Sequence, residues 1–277
     1  MQLTSDFPQR CAVGLALLLF CVPASAEELS FVPKGETKPE PFLIEKPASI
    51  ERGKRHPLVV YLHGRGQGHK FQWLSKEFTQ FRKRAAERGY FVLIPHLGTD
   101  NWMNARTRSV LNELLDKVLR SYPIDKARVH FMGMSMGGGG SLTYTAYNTR
   151  RVRSVCNIFG VTDFTQFYKS RPRYHNSLSD ALGGTPDTAA DVYRVQSPMA
   201  HLDKFAKVPV LVLHGEDDRV VPVVQSRQFV KAMKTREYDV VYKEVPGGRH
   251  SMSLLHGFED KILDFFDATG AARSQKP

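Results

Sequence analysis

The sequence predicts an α/β fold: a doubly wound, mainly parallel sheet with a small helical excursion laid over one edge. Apolar runs of strand length alternate with longer segments of helical spacing through most of the chain, which implies successive strand–helix–strand crossovers. One stretch, residues 163–202, breaks the alternation. It is polar and carries Pro172, Gly183, Gly184, Pro186 and Pro198, so it reads as short helices over the sheet. With 277 residues and 42% hydrophobic content the chain is long enough for one large core, and no internal repeat or second domain is visible.

The N-terminal segment has the pattern of a targeting signal, distinct from the alternating elements that follow. Arg10 precedes an apolar run from Cys11 to Val22, and Ala24-Ser25-Ala26 follows as an A-x-A cleavage site, the three-part layout of a secretory leader. The run is about a dozen residues, too short for a bilayer-spanning helix, which needs ~20. Residues 1–26 are therefore expected to be a signal peptide and residues 27–277 a single domain, secreted or periplasmic, with no stable membrane insertion.

The elements follow in order. Residues 27–50, rich in Pro, Glu and Lys, read as an extended arm with one early strand near Phe42–Glu45. Pro57–Leu62 is a strand, Phe71–Arg88 a helix ended by Gly89, and Tyr90–Ile94 a strand stopped by Pro95. Ala105–Ser121 spaces Val110, Leu111, Leu114, Leu115 and Val118 as a helix does. Arg128–Met132 is a strand, Ser135–Tyr147 a helix and Arg151–Phe159 a strand. Beyond the excursion come a strand Val208–Leu213, a helix Val223–Lys234, a strand Tyr238–Glu244 and a closing helix Leu254–Ala268.

Of three cysteines, Cys11 and Cys21 lie in the expected leader, leaving Cys156 without an intramolecular disulfide partner. Its strand context makes it a small core side chain. Lys and Arg outnumber Asp and Glu by 39 to 28, a net charge of +11 that loss of Asp6 and Arg10 with the leader would not change. The basic clusters Arg82-Lys83-Arg84, Arg150-Arg151 with Arg153, and Lys169, Arg171 and Arg173 come without a nucleic-acid motif. They read as a solvated basic surface, and no nucleic-acid partner is expected.

Gly133-Met134-Ser135-Met136-Gly137 is the strongest chemical signal, a G-x-S-x-G turn that follows a strand and opens a helix. Side chains at the two glycines would collide with neighbouring backbone, and the turn holds Ser135 strained and exposed at the carboxyl edge of the sheet. The run Gly137–Gly140 lacks the G-K-[ST] ending of a phosphate loop. A serine hydroxyl needs a neighbouring base. Among ten histidines, His250 is placed for this, between the last strand, the loop Pro246–Arg249 and the last helix, with His256 as runner-up. His63 and His214, each in a His-Gly pair ending a strand, read as packing and turn residues, and His130 as core. The base in turn needs an acceptor that fixes its tautomer. The loop after Val210–His214 supplies Glu216, Asp217 and Asp218, and it lies between nucleophile and base in the order Ser, Asp, His. After the first strong strand, Leu62-His63-Gly64-Arg65-Gly66 offers a backbone amide to a developing oxyanion: that of Arg65, or Gly66 as second choice, joining that of Met136. Trp102 either lines the acyl pocket or is, equally, a structural tryptophan.

These features resemble a known family. The Ser135 turn, the H-G-x-G loop, Ser197-Pro198, the run Val208–Pro222 and Gly248-x-His250 look like the catalytic domain of prolyl oligopeptidases, and like dienelactone hydrolases and feruloyl esterases. The resemblance covers most of residues 57–268 and implies the α/β-hydrolase fold. The family pattern H-G-x-x-D-x-x-V-P selects Asp218 as the acid, with Ser135 the nucleophile and His250 the base. Asp217 and Glu216 are then exposed carboxylates able to pair with Arg219. Prolyl oligopeptidases proper carry a large upstream propeller that this sequence has no room for, so an ester substrate is expected first. A short peptide is the rival, and a non-catalytic binding protein on the same scaffold comes third. No metal or organic cofactor is expected.

Overall fold

In the computed structural model, which describes residues 26–274, the chain begins with β1 (Ala26–Phe31), β2 (Glu40–Glu45) and β3 (His56–Leu62). It continues through α1 (His69–Leu74), α2 (Lys76–Glu87), β4 (Phe91–Pro95), α3 (Ala105–Ser121), β5 (Ile124–Met134), α4 (Met136–Tyr147) and β6 (Ser154–Ile158). The excursion follows as α5 (Phe164–Ser170), a 3₁₀ turn Pro172–Tyr174, α6 (His175–Leu182), α7 (Ala190–Gln196) and a 3₁₀ segment Pro198–Phe205. The chain then completes the sheet with β7 (Val210–Gly215), α8 (Val224–Thr235) and β8 (Val240–Val245), and ends with a 3₁₀ turn Met252–Leu255 and α9 (Glu259–Ser274). The eight strands lie in the order β1-β2-β4-β3-β5-β6-β7-β8. The β1–β2 and β2–β4 pairs are antiparallel, and every later pair is parallel.

The double winding follows from the pleat. Along β3, Leu58, Val60 and Leu62 join one core with Leu111, Leu114 and Leu115 of α3, Leu142 of α4 and Phe229 of α8. Val59 and Tyr61 face the other way, into a core shared with Phe78 and Phe81 of α2 and Ile262, Leu263 and Phe266 of α9. Cys156 is buried in β6, and burial pushes its thiol well above the ordinary range, as a core side chain requires.

Three expectations are corrected. The expected leader lies outside the described residues, apart from Ala26, which opens β1. The arm after it holds two strands instead of one: β1 is a largely exposed edge strand, AEELSF, whose existence depends on pairing with β2 and not on an apolar pattern of its own. The expected helix Phe71–Arg88 is broken at Ser75, whose backbone is extended (ψ 126°) and whose hydroxyl donates to Glu77 Oε2 at 2.7 Å. Serine at this position favours a helix start over a helix interior. Gly89, at φ +82°, ends α2 as expected. Finally, the basic clusters are not simply solvated. Arg82 is buried, bonded to Glu45 Oε2 at 3.1 Å and stacked 3.5 Å over the Trp73 ring. Arg84 pairs with Asp260, and Arg151 with Asp116. Arg82 lands inside because it shares a helix face with Phe78, Phe81 and Ala85.

Candidate active site

The turn between β5 and α4 is set by its glycines. A Cβ at Gly133 would run into the backbone of Gly137 and Leu62, and one at Gly137 into the carbonyls of Leu62 and His63. Only glycine admits that approach, and it leaves Ser135 at φ 55°, ψ −119°, a conformation that costs about 1–3 kcal/mol and is held by the surrounding packing. Leu97, Trp102, Met103 and Phe159 also have positive φ, all on loops after β4 or β6. Strained backbone is thus concentrated at the carboxyl edge of the sheet.

His250 lies beside this turn. Its Nδ1 is 2.6 Å from Asp218 Oδ2 and its Nε2 is 2.9 Å from Ser135 Oγ. A carboxylate can only accept, so Nδ1 carries the proton and donates to Asp218, while Nε2 accepts from the serine hydroxyl. The Phe159 ring sits 4.5 Å from the imidazole and limits its movement. Asp218 is fully occupied as an acceptor. Oδ1 takes the N–H groups of Val220 (2.8 Å) and Val221 (2.9 Å). Oδ2 faces both His250 and, at 3.3 Å, Nε2 of His214. His214 Nε2 also donates to Val221 O; the carbonyl and the carboxylate facing Nε2 place its proton there, which leaves Nδ1 to accept from Ser226 Oγ at 2.7 Å. Burial pushes the Asp218 carboxyl up, but the hydrogen bonds from His214 and His250 outweigh this and hold it at about 2. Asp217 and Glu216 are exposed, as read from the sequence, but among the described residues neither pairs with Arg219; Glu216 accepts instead from Gly247 N at 3.3 Å. The runner-up histidine, His256, is exposed on the segment before α9 and makes no contact with Ser135 among the described residues.

Residues 76–269 match the Peptidase_S9 family, described as the prolyl oligopeptidase family. The chain belongs to this family of serine hydrolases. It is 35% identical over 108 residues to a probable carboxylic ester hydrolase, LipM, of Mycobacterium tuberculosis, covering 38% of this chain and 25% of LipM. A puromycin-hydrolysing peptidase of the same organism superposes at TM-score 0.73 with 22% identity, over 89% of this chain and 39% of that one. An S-formylglutathione hydrolase of Agrobacterium tumefaciens superposes at TM-score 0.70 with 19% identity, over 88% of this chain and 95% of that one. The chain therefore spans a quarter of LipM's length, and the structural likenesses establish the α/β-hydrolase fold.

The prolyl oligopeptidase-family scaffold surrounds Ser135 and His250 with a cavity of about 700 Å³. Met136 is the first residue of α4, so its N–H has no acceptor within the helix. The Arg65 N–H has no acceptor among the described residues, whereas the Gly66 N–H is bonded to Thr99 O at 2.7 Å, which favours Arg65 over the second choice. The loop carrying Arg65 is held from two directions. Gly64 N donates to Gln67 Oε1, which also accepts from Gln72 Nε2 of α1. On the other side, Arg65 Nε donates to Asp100 Oδ2 and to Ser177 Oγ of α6, both at 2.9 Å.

Trp102 does not line the cavity. It is 2% exposed, packed against Phe164, Phe167 and Tyr174 in the excursion's core, and its Nε1 donates to Ser177 Oγ at 2.7 Å. Its reach to the site is indirect, through Ser177 to Arg65 and through its own N–H to Met136 Sδ at 3.5 Å. Besides Ser135, His250 and Arg65, the cavity is lined by residues not singled out in the sequence, among them Phe71 and Leu74 of α1, Phe159, Tyr174 and Met252. Arg173, read only as surface charge, lines it too. Phe159 alone had a usable signal, as the residue just after a parallel strand and so at the carboxyl edge where such sheets bind ligands.

Proposed function

We propose that the protein cleaves carboxylic esters through an acyl-enzyme formed on Ser135. The observation that carries this reading is the unbroken line from Asp218 through His250 to Ser135 Oγ, opening into the cavity. Ser135 Oγ attacks the carbonyl carbon while its proton passes to His250 Nε2. The oxyanion that forms is met by the N–H groups of Met136 and Arg65. His250 then gives the proton to the leaving alcohol as the C–O bond breaks. A water repeats the sequence against the acyl-enzyme, releasing the acid and restoring the serine. Asp218, anionic above about pH 2, holds the imidazole in the tautomer this needs and stabilises the imidazolium.

The likeness to LipM supports an ester as substrate. Peptide hydrolysis is the second reading, favoured by the family's name and by the peptidase among the structural neighbours. A fluorophosphonate probe should label Ser135, and Ser135→Ala should abolish labelling and lower turnover by roughly 10⁴–10⁶-fold. Asp218→Asn should cost on the order of 10⁴ in kcat, and Asp217→Asn little. An adduct on another residue in the labelled protein would overturn the nucleophile. Comparable kcat/KM on aminoacyl-amide and ester chromogens would favour the peptidase.

A further inference from the structure

The cavity around Ser135 has two walls of different chemistry. On one, Phe71 and Leu74 stand at i and i+3 on α1 and are 54% and 77% exposed, a pair of large apolar side chains turned outward together. On the other, Arg65 and Arg173 flank the Tyr174 ring, with guanidinium carbons 5.5 and 5.1 Å from its centroid.

The charges on this lining do not cancel in place. Arg65 is neutralised by Asp100 at 2.9 Å. Glu77 lies at the α1 side, where it accepts from Ser75 Oγ at 2.7 Å at the start of α2. Arg173 is exposed and, among the described residues, has no carboxylate within ion-pair distance. It is the one guanidinium of the lining left without a counter-charge. A planar guanidinium stacked on an aromatic ring keeps its donor edge free for a carboxylate or phosphate. The chain's net charge of +11 adds long-range attraction for anions.

We propose that the substrates are amphipathic esters, with an apolar portion lying on Phe71 and Leu74 and a carboxylate that reaches Arg173. This rests on the esterase reading and adds the substrate class. Arg173 is then the residue that selects anionic esters, and α1 the surface that selects apolar ones.

Two matched pairs of esters test this, one with the charge on the acyl side and one with it on the alcohol side. They are 4-nitrophenyl hydrogen suberate against 4-nitrophenyl octanoate, and the butyrate ester of 4-hydroxyphenylacetate against 4-ethylphenyl butyrate. In at least one pair the anionic member should have the higher kcat/KM by roughly fivefold, the scale of one solvent-accessible ion pair. The ratio should shrink as salt is raised, and it should fall to about one in Arg173→Gln. The same pairs are titrated calorimetrically into Ser135→Ala, where binding is read without turnover. A preference in binding with no turnover by the unmodified protein would support the anion site and overturn the esterase reading alone. Equal members in both pairs by both readouts, or a preference that survives Arg173→Gln, would overturn the proposal.

Discussion

The excursion wall of the cleft carries a core of its own, whereas the facing wall, α1, turns Phe71 and Leu74 to solvent. Phe164, Phe167, Leu178, Leu182 and Tyr193 close around Trp102 and Val161, so the excursion is packed almost as a small domain on the sheet. Helix α1 is only six residues long and is held from behind. Arg82 stacks on Trp73 and donates to its carbonyl at 3.1 Å, and Lys70 and His69 reach Glu28 of β1. Both walls grip the Gly64–Gln67 loop, one through Ser177 and the other through Gln72. The contrast teaches that apolar residues near the site have opposite jobs: those of the excursion maintain its shape, and Phe71 and Leu74 of α1 are free to meet a ligand.

The largest effect should come from removing one aromatic ring from each wall. Trp102→Ala empties a filled core position and should destabilise the protein by about 3–5 kcal/mol, whereas Phe71→Ala should stay within about 0.5 kcal/mol of the unmodified protein. Urea unfolding of the two variants side by side reads this directly, and similar costs would erase the distinction between the walls.

A smaller effect is expected at the joint between excursion and loop. Ser177 Oγ accepts from Trp102 Nε1 and Arg65 Nε and donates to Asp100 Oδ1 at 2.6 Å. Ser177→Ala leaves a buried indole N–H without an acceptor, at a cost of about 1–3 kcal/mol. It also removes the excursion's hold on Arg65, leaving only that of Asp100 on its side chain, so kcat should fall more than KM rises, and Ser177→Thr should restore most of it. Unchanged kcat in Ser177→Ala would mean that the excursion does not position the loop.

The smallest effect should fall on α1 itself. Replacing Phe71 and Leu74 together by serine should raise KM for an apolar ester by roughly tenfold through lost apolar contact, with kcat changed by less than about twofold. A fall in kcat with KM held would show instead that α1, like the excursion, shapes the reacting groups.

What the sequence determined by itself was whatever adjacent residues dictate. The run Gly133-x-Ser135-x-Gly137 between a strand and a helix marks the Ser135 turn in the sequence, strand–turn–helix punctuation places His250 and the acidic loop 216–218, and the family pattern selects Asp218 within that loop. The alternation of strands and helices was legible for the same reason, because apolar periodicity is a local property. Tertiary structure alone decided the rest. Strand β1 exists only by pairing with β2, and the carboxylate that meets the buried Arg82, Glu45, comes from β2. Trp102 could equally have faced a ligand or a core, and the excursion's packing chose the core. Phe71 and Arg173 become walls of one cavity only when α1 and the excursion are brought to the same edge of the sheet. Burial, ion pairing and which side chains share a cavity depend on contacts between residues far apart in the chain, and no local pattern encodes them.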